Sequence, residues 1–205
     1  GLFSKRFLKG VRRPGIAALM PTAKGRTVVL DVGANVFAKP AHLLQYGVMG
    51  SVYAKHMLNV ADPKIGLMNV GEEEGKGHDL VQQTYDLFRT GPLKDRFVGN
   101  VLLKQAEGVF EFVMQQVTKD VLGALTAERD VAAAAVKQLI GKFHYSAAGG
   151  APLLGVDGVC IICHGSSDER AIANALGAAA QEVRAKLNEK IVEEIAALPA
   201  VGEDE

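Results

Sequence analysis

Gly71-Glu72-Glu73-Glu74-Gly75-Lys76-Gly77 is the stretch of this chain best suited to anion chemistry. Its glycines let backbone amides approach a ligand closely, and Lys76 adds a fixed positive charge to the same turn. An apolar run, residues 65–70, precedes it and reads as a buried strand; a periodic segment, residues 80–88, follows and reads as a helix. Strand, glycine-rich loop, helix is how α/β proteins build an anion site at a strand's carboxyl end. The loop is not a P-loop, because Gly77 stands where a magnesium-binding Ser or Thr is required. Taken alone, it is equally compatible with a solvated acidic turn.

Three further junctions gather small and polar residues. Asp31-Val32-Gly33-Ala34-Asn35 is followed closely by Lys39; Phe97-Val98-Gly99-Asn100 opens what reads as a helix; His164-Gly165-Ser166-Ser167-Asp168 precedes the last helix. In a parallel sheet such ends share one edge, so all four are expected to converge on a cleft. The ligand suggested is anionic, with Ser166, Ser167 and the first amides of the last helix suited to phosphate oxygens. Ser166 by itself is as well explained as a helix cap, with Glu169 in capping-box spacing. His164 suits an acid, a base or a hydrogen-bond donor, and equally a structural histidine. The remaining histidines show no zinc spacing. Cys160-Ile161-Ile162-Cys163-His164 has the c-type haem spacing, but it lies in an expected strand, where residues three apart face opposite ways. Its cysteines are expected to be buried there.

The elements that must position these junctions alternate. Residues 16–20 and 27–32 read as strands, and Pro40 opens a helix whose apolar positions are Leu43, Leu44, Val48, Met49, Val52 and Tyr53. A first helical piece ends at Arg13-Pro14-Gly15. The alternation predicts βαβ units and a mainly parallel sheet. Residues 101–125 and 131–140 then read as a helical hairpin, residues 159–163 as the last strand, and the chain from about 166 as one long helix. Ile172, Leu176, Val183, Leu187, Ile191 and Ile195 form its expected buried stripe. Three regions follow: a sheet core over 1–100, the hairpin over 101–145, and a return to the core over 146–205, with an acidic tail at the end.

At 205 residues the chain is long enough for one sizeable core. Lys plus Arg and Asp plus Glu each total 23, which argues against a nucleic-acid footprint. No apolar run is long enough to span a bilayer, and two cysteines without a secretory signal suit a reducing, cytoplasmic setting. The first residue is Gly1, so the chain reads as a fragment.

Together the junctions resemble the PlsX family of bacterial phosphate acyltransferases. The blocks carrying the resemblance are Leu30-Asp31-Val32-Gly33-Ala34-Asn35, Met49-Gly50-Ser51-Val52-Tyr53-Ala54, residues 69–77, Gly99-Asn100-Val101, residues 149–155 and His164-Gly165-Ser166-Ser167-Asp168. The resemblance implies a Rossmann-like three-layer α/β/α sandwich, related to phosphotransacetylase and isocitrate dehydrogenase, with a projecting helical hairpin and its N-terminal part missing. It implies transfer of a fatty acyl group from acyl carrier protein to inorganic phosphate, giving acyl-phosphate for phospholipid synthesis. It further implies a homodimer at the membrane surface, an acyltransferase partner that consumes the product, and no metal or redox cofactor.

By the same resemblance Lys76 and Asn100 are the catalytic candidates. Asp31, Gly33, Asn35, Lys39, Gly71, Glu72, His164, Gly165, Ser166 and Ser167 are the substrate-binding ones. The carrier surface is expected to be basic, with Lys5, Arg6, Lys9, Arg12 and Arg13 as candidates, although a solvated basic face explains them more simply. The family carries further strands between positions 93 and 98, where this chain has only Lys94-Asp95-Arg96-Phe97. A real deletion there removes central strands and leaves open a non-catalytic scaffold docking on a membrane or partner; the other alternative, an enzyme that uses acyl-coenzyme A, turns on the carrier surface.

Overall fold

β1 (Gly15–Thr22) and β2 (Gly25–Leu30) form an antiparallel hairpin in the computed structural model, with Ala17 opposite Leu30 and Thr22 opposite Gly25. The residues described are 6–22, 25–69, 77–102, 119, 130–134, 150–163, 165 and 167–198. β1 also pairs with β5 (Ala151–Leu154), and β5 with β6 (Ile161–Ile162), both antiparallel. Among the described residues this sheet runs β2-β1-β5-β6, and a second sheet joins β3 (Ile65–Asn69) to β4 (Phe97–Leu102) in parallel.

The chain is mixed α/β, as the alternating patterns predict, but the expected mainly parallel sheet is corrected. Only the β3–β4 pair is parallel among the described residues. The physical reason is the short connection from β1 to β2, which leaves no room for a crossover and forces a hairpin. β3, α2 (Asp79–Thr90) and β4 do form the expected βαβ unit. A tight turn over residues 91–96 leads straight from α2 into β4, with Ile65 N donating to Arg96 O at 2.8 Å.

α1 (Pro40–Met57) begins at its proline and lies across the molecule, packing on β2, α2 and α4 (Leu187–Ala196). Leu44, Val48, Met49, Val52 and Tyr53 are buried, as their spacing predicts. Phe88 of α2 stacks on Phe97 of β4, ring centroids 5.1 Å apart, which ties the βαβ unit to the core beneath α1. Leu187, Ile191 and Ile195 of α4 close the core from the other side.

Four other expectations are corrected. Residues 6–14 contain no α-helix; Phe7 bridges to Val156, and Gln45 clamps the segment by accepting from Arg12 N and donating to Gly10 O, each at 2.8 Å. Positions 101 and 102 belong to β4, because a short apolar run does not distinguish a strand from a helix by period. The rest of the hairpin, apart from Lys119 and helical residues 130–134, lies outside the described residues. The last helix is two helices, α3 (Glu169–Arg184) and α4, broken where Lys186 adopts a left-handed conformation. The predicted stripe splits with it. Leu187, Ile191 and Ile195 are buried, whereas Ile172, Leu176 and Val183 are exposed and α3 instead buries Ala171, Ala175 and Glu182. Finally, β6 is only two residues long, so Cys160 is exposed and Cys163 half-buried.

Candidate functional site

The turn after β2 is built around one carboxylate. Asp31 Oδ1 accepts from the amides of Ile16 (2.9 Å), Gly33 (3.2 Å) and Ala34 (3.0 Å), and Oδ2 from the amide of Asn35 (2.9 Å) and its Nδ2 (3.0 Å). Burial raises the Asp31 pKa, but the hydrogen bonds from Ala34, Asn35, Ile16 and Gly33 outweigh it, and the net shift is downward. Gly33, at φ +141°, supplies the left-handed backbone that this curl of amides needs. The anion in this nest of amides is therefore the chain's own side chain. Asn35 Nδ2 also reaches Pro14 O at 2.8 Å and Tyr46 Oη at 2.9 Å, pinning the turn to α1. Burial, then the charge of Asp31, pushes the Tyr46 phenol up to about 12, so it remains neutral.

Lys39 caps α1 and is exposed; its amide donates to His42 Nδ1 at 3.0 Å. His42 is held below its usual pKa by burial and then by Arg13, Arg12 and Lys39, which identifies these three cations as its neighbours. Arg13 Nη1 approaches Asn35 Oδ1 at 3.5 Å. The start of α1 is thus electropositive. Sequence reasoning assigned nothing to His42 or Tyr46. The Lys39/His42 spacing of three at a helix start is the signal that identifies His42; Tyr46 has no comparable local mark.

A groove of about 400 Å³ opens beside this cluster, between the starts of α1 and the end of α4, lined by Lys9, Arg12, Leu44, Gln45, Val192 and Ile195.

The other junctions leave the fold elsewhere. Each neighbouring pair in the four-stranded sheet is antiparallel, so β2 and β6 run in opposite directions and their following loops leave opposite ends of the sheet. The expected convergence of the Asp31 and Ser167 loops on one edge is corrected accordingly. After β6, Gly165 is exposed and Ser167 half-buried. Asp168, not Ser166, caps α3, its Oδ1 accepting from Ala171 N at 2.7 Å. Asn100 stands in β4, its backbone opposite Leu67 in β3. Its side chain, with Gly71, Glu72, Lys76, His164 and Ser166, lies outside the described residues. Among the described residues no three His, Cys, Asp or Glu side chains gather as metal ligands would, and no helix is long and apolar enough to cross a membrane.

The family described as fatty acid synthesis protein matches residues 1–95 and 93–190. The phosphate acyltransferase of Geobacter sulfurreducens is 39% identical over 217 residues, covering 95% of this chain and 63% of its own length. That of Desulfitobacterium hafniense is 40% identical over 224 residues, covering 96% and 66%; that of Dictyoglomus thermophilum is 40% identical, covering 91% and 62%. The chain thus spans just under two thirds of the length of these relatives. The first alignment is longer than the chain's 205 residues, and the two parts of the family match meet at Leu93, Lys94 and Asp95. Relatives carry residues that this chain lacks, and the turn between α2 and β4 is where the match divides. The mixed α/β architecture agrees with the Rossmann-like fold implied by the sequence blocks, and this chain belongs to the fatty acid synthesis protein family, the PlsX family.

Proposed function

We propose that this chain is a phosphate acyltransferase that moves a fatty acyl group from acyl carrier protein to inorganic phosphate, giving acyl-phosphate for phospholipid synthesis. One observation carries it: about 40% identity to phosphate acyltransferases over nearly the whole chain. Phosphate is already an oxyanion, so no serine or cysteine nucleophile is needed. A phosphate oxygen attacks the thioester carbonyl, a tetrahedral oxyanion forms, and the carbon–sulfur bond breaks as the carrier thiolate leaves and takes a proton. The protein's work is positioning and charge stabilisation. In this proposal Lys76 neutralises developing charge and Asn100 donates a hydrogen bond to the oxyanion. Gly71, Glu72, Gly165, Ser166 and Ser167 shape the phosphate site, with His164 beside them. Because Asp31 already occupies its own amides, the turn with Gly33 and Asn35 serves by holding the start of α1, where Lys39 adds positive charge. By family resemblance the enzyme works as a homodimer on a membrane surface, handing product to a second acyltransferase.

The division of the family match at residues 93–95 favours one competing function, a non-catalytic scaffold. Purified chain, phosphate and acyl carrier protein charged with a fatty acid, followed by hydroxylamine trapping of acyl-phosphate, separate the two. Trapped product is expected, and it is expected to fall at least about a hundredfold in Lys76→Ala, the scale of losing one oxyanion stabiliser. Absence of product with both carrier and coenzyme A thioesters would leave the scaffold. Product from the coenzyme A thioester alone would change the donor.

A further inference from the structure

The groove between the start of α1 and the end of α4 belongs to no step of the proposed transfer, and its chemistry is two-sided. Ala41, Leu44 and Gln45 of α1 line it, as do Val192, Ile195 and Ala196 of α4. Each set has the spacing i, i+3, i+4 and so shares one face of its helix. Leu198 extends the apolar wall beyond α4. Lys9 and Arg12 enter from the segment before β1, and none of the described residues that line the groove is acidic.

The basic segment is anchored against these walls. Gln45 is itself buried, and it accepts from Arg12 N while donating to Gly10 O. Gly10 lies so close to α4 that a Cβ there would stand 3.0 Å from Ile195 Cγ2. Arg13 and Lys39 strengthen the positive field at this end of α1, since they and Arg12 join burial in holding the His42 pKa down. A volume of about 400 Å³ is that of a small-molecule site. An uncharged apolar ligand there would take water from Lys9 and Arg12 and return nothing. A small inorganic anion would leave the exposed parts of Val192, Ala196 and Leu198 wet. A carboxylate on a hydrocarbon chain satisfies both sides, because a guanidinium can present two parallel donors to it.

We propose that this groove binds a long-chain fatty acid, its carboxylate against Lys9 and Arg12 and its hydrocarbon chain along α1 and α4. A free fatty acid is neither substrate nor product of the transfer proposed above, so the two readings stand or fall separately.

Isothermal titration of the purified chain with laurate, kept below its micelle-forming concentration, measures the binding. Dodecanol and acetate each supply one half of the ligand. Laurate is expected to bind at a single site, and either half at least about tenfold more weakly, the scale of losing a charged hydrogen bond or a buried chain. Lys9→Glu reverses one of the two cations and is expected to raise the laurate Kd roughly tenfold. Ala196→Trp fills the groove and is expected to abolish binding. Both positions are exposed, so both variants are expected to keep the parent circular-dichroism spectrum. A chain that does not bind laurate overturns the proposal, as does binding that Lys9→Glu and folded Ala196→Trp leave unmoved. Dodecanol bound as tightly as laurate overturns the role of the cations. Binding lost in Lys76→Ala but kept in Ala196→Trp would put the fatty acid in the acyl-transfer site, and overturns the proposal too.

Discussion

Asp31 shows how a residue selected for its chemistry can be consumed by architecture. Four backbone amides and one side-chain amide converge on it, leaving none of those groups for a substrate oxygen. Asp31→Asn replaces one acceptor oxygen with a donor facing donors, and is expected to destabilise the protein by roughly 1–2 kcal/mol at neutral pH. Because the folded-state pKa lies below 3.8, the stabilisation is complete above that value and is lost as pH falls through the lowered pKa. Urea midpoints of the two proteins should therefore converge in acid; a constant gap down to the lowest pH would exclude this role.

Glu182 presents the opposite case. It is 5% exposed, its Oε1 has no hydrogen-bond partner among the described residues, and burial raises its pKa to about 7. The unfolded chain loses this proton near 4.5 while the folded chain holds it, so stability falls as pH rises from about 4.5 to about 7. Glu182→Gln removes the charge and is expected to stabilise by roughly 1–2 kcal/mol at pH 8, with no gain at pH 4.5. A gain equal at both pH values would mean that charge burial is not the cause.

Among the elements, α1 carries the organisation, since it touches β2, α2 and α4. Its approach to α2 depends on Gly47: a Cβ there would lie 2.7 Å from Phe88 Cε1. In an exposed helix Gly→Ala normally stabilises by up to about 1 kcal/mol. At this position overpacking reverses the sign, and Gly47→Ala is expected to cost roughly 1–3 kcal/mol, read as a lower urea midpoint at unchanged m. A stabilised variant would show that Phe88 has room to swing away, despite its stack on Phe97.

At the scale of the whole molecule, the turn over residues 91–96 is where this chain departs from the continuous family match. It carries α2 into β4 at the point where the family match divides. Inserting there the residues that the Geobacter sulfurreducens relative possesses is expected to raise acyl-phosphate formation above that of the 205-residue chain. Equal turnover would show that the short connection suffices.

Strand and helix types were legible residue by residue wherever a period was strong. The alternating burial of β3, the stripe of α1 and the proline that starts it follow from side chains one or two turns apart. Family membership was legible too, because its ordered blocks are local strings. Pairing partners were not: whether β2 turns back on β1 or crosses to a parallel neighbour depends on which edges meet, and the same apolar strand serves either. Nor does an apolar stripe say what covers it, so Ile172, Leu176 and Val183 read as core and stand exposed. The types of residue in Asp31-Val32-Gly33-Ala34-Asn35 marked an anion-friendly turn. Only the tertiary structure decided that the anion is Asp31 itself, because Ile16 N donates to it from β1 while Pro14 O and Tyr46 Oη accept from the neighbouring Asn35, and hydrogen bonds between distant segments leave no periodic trace in sequence.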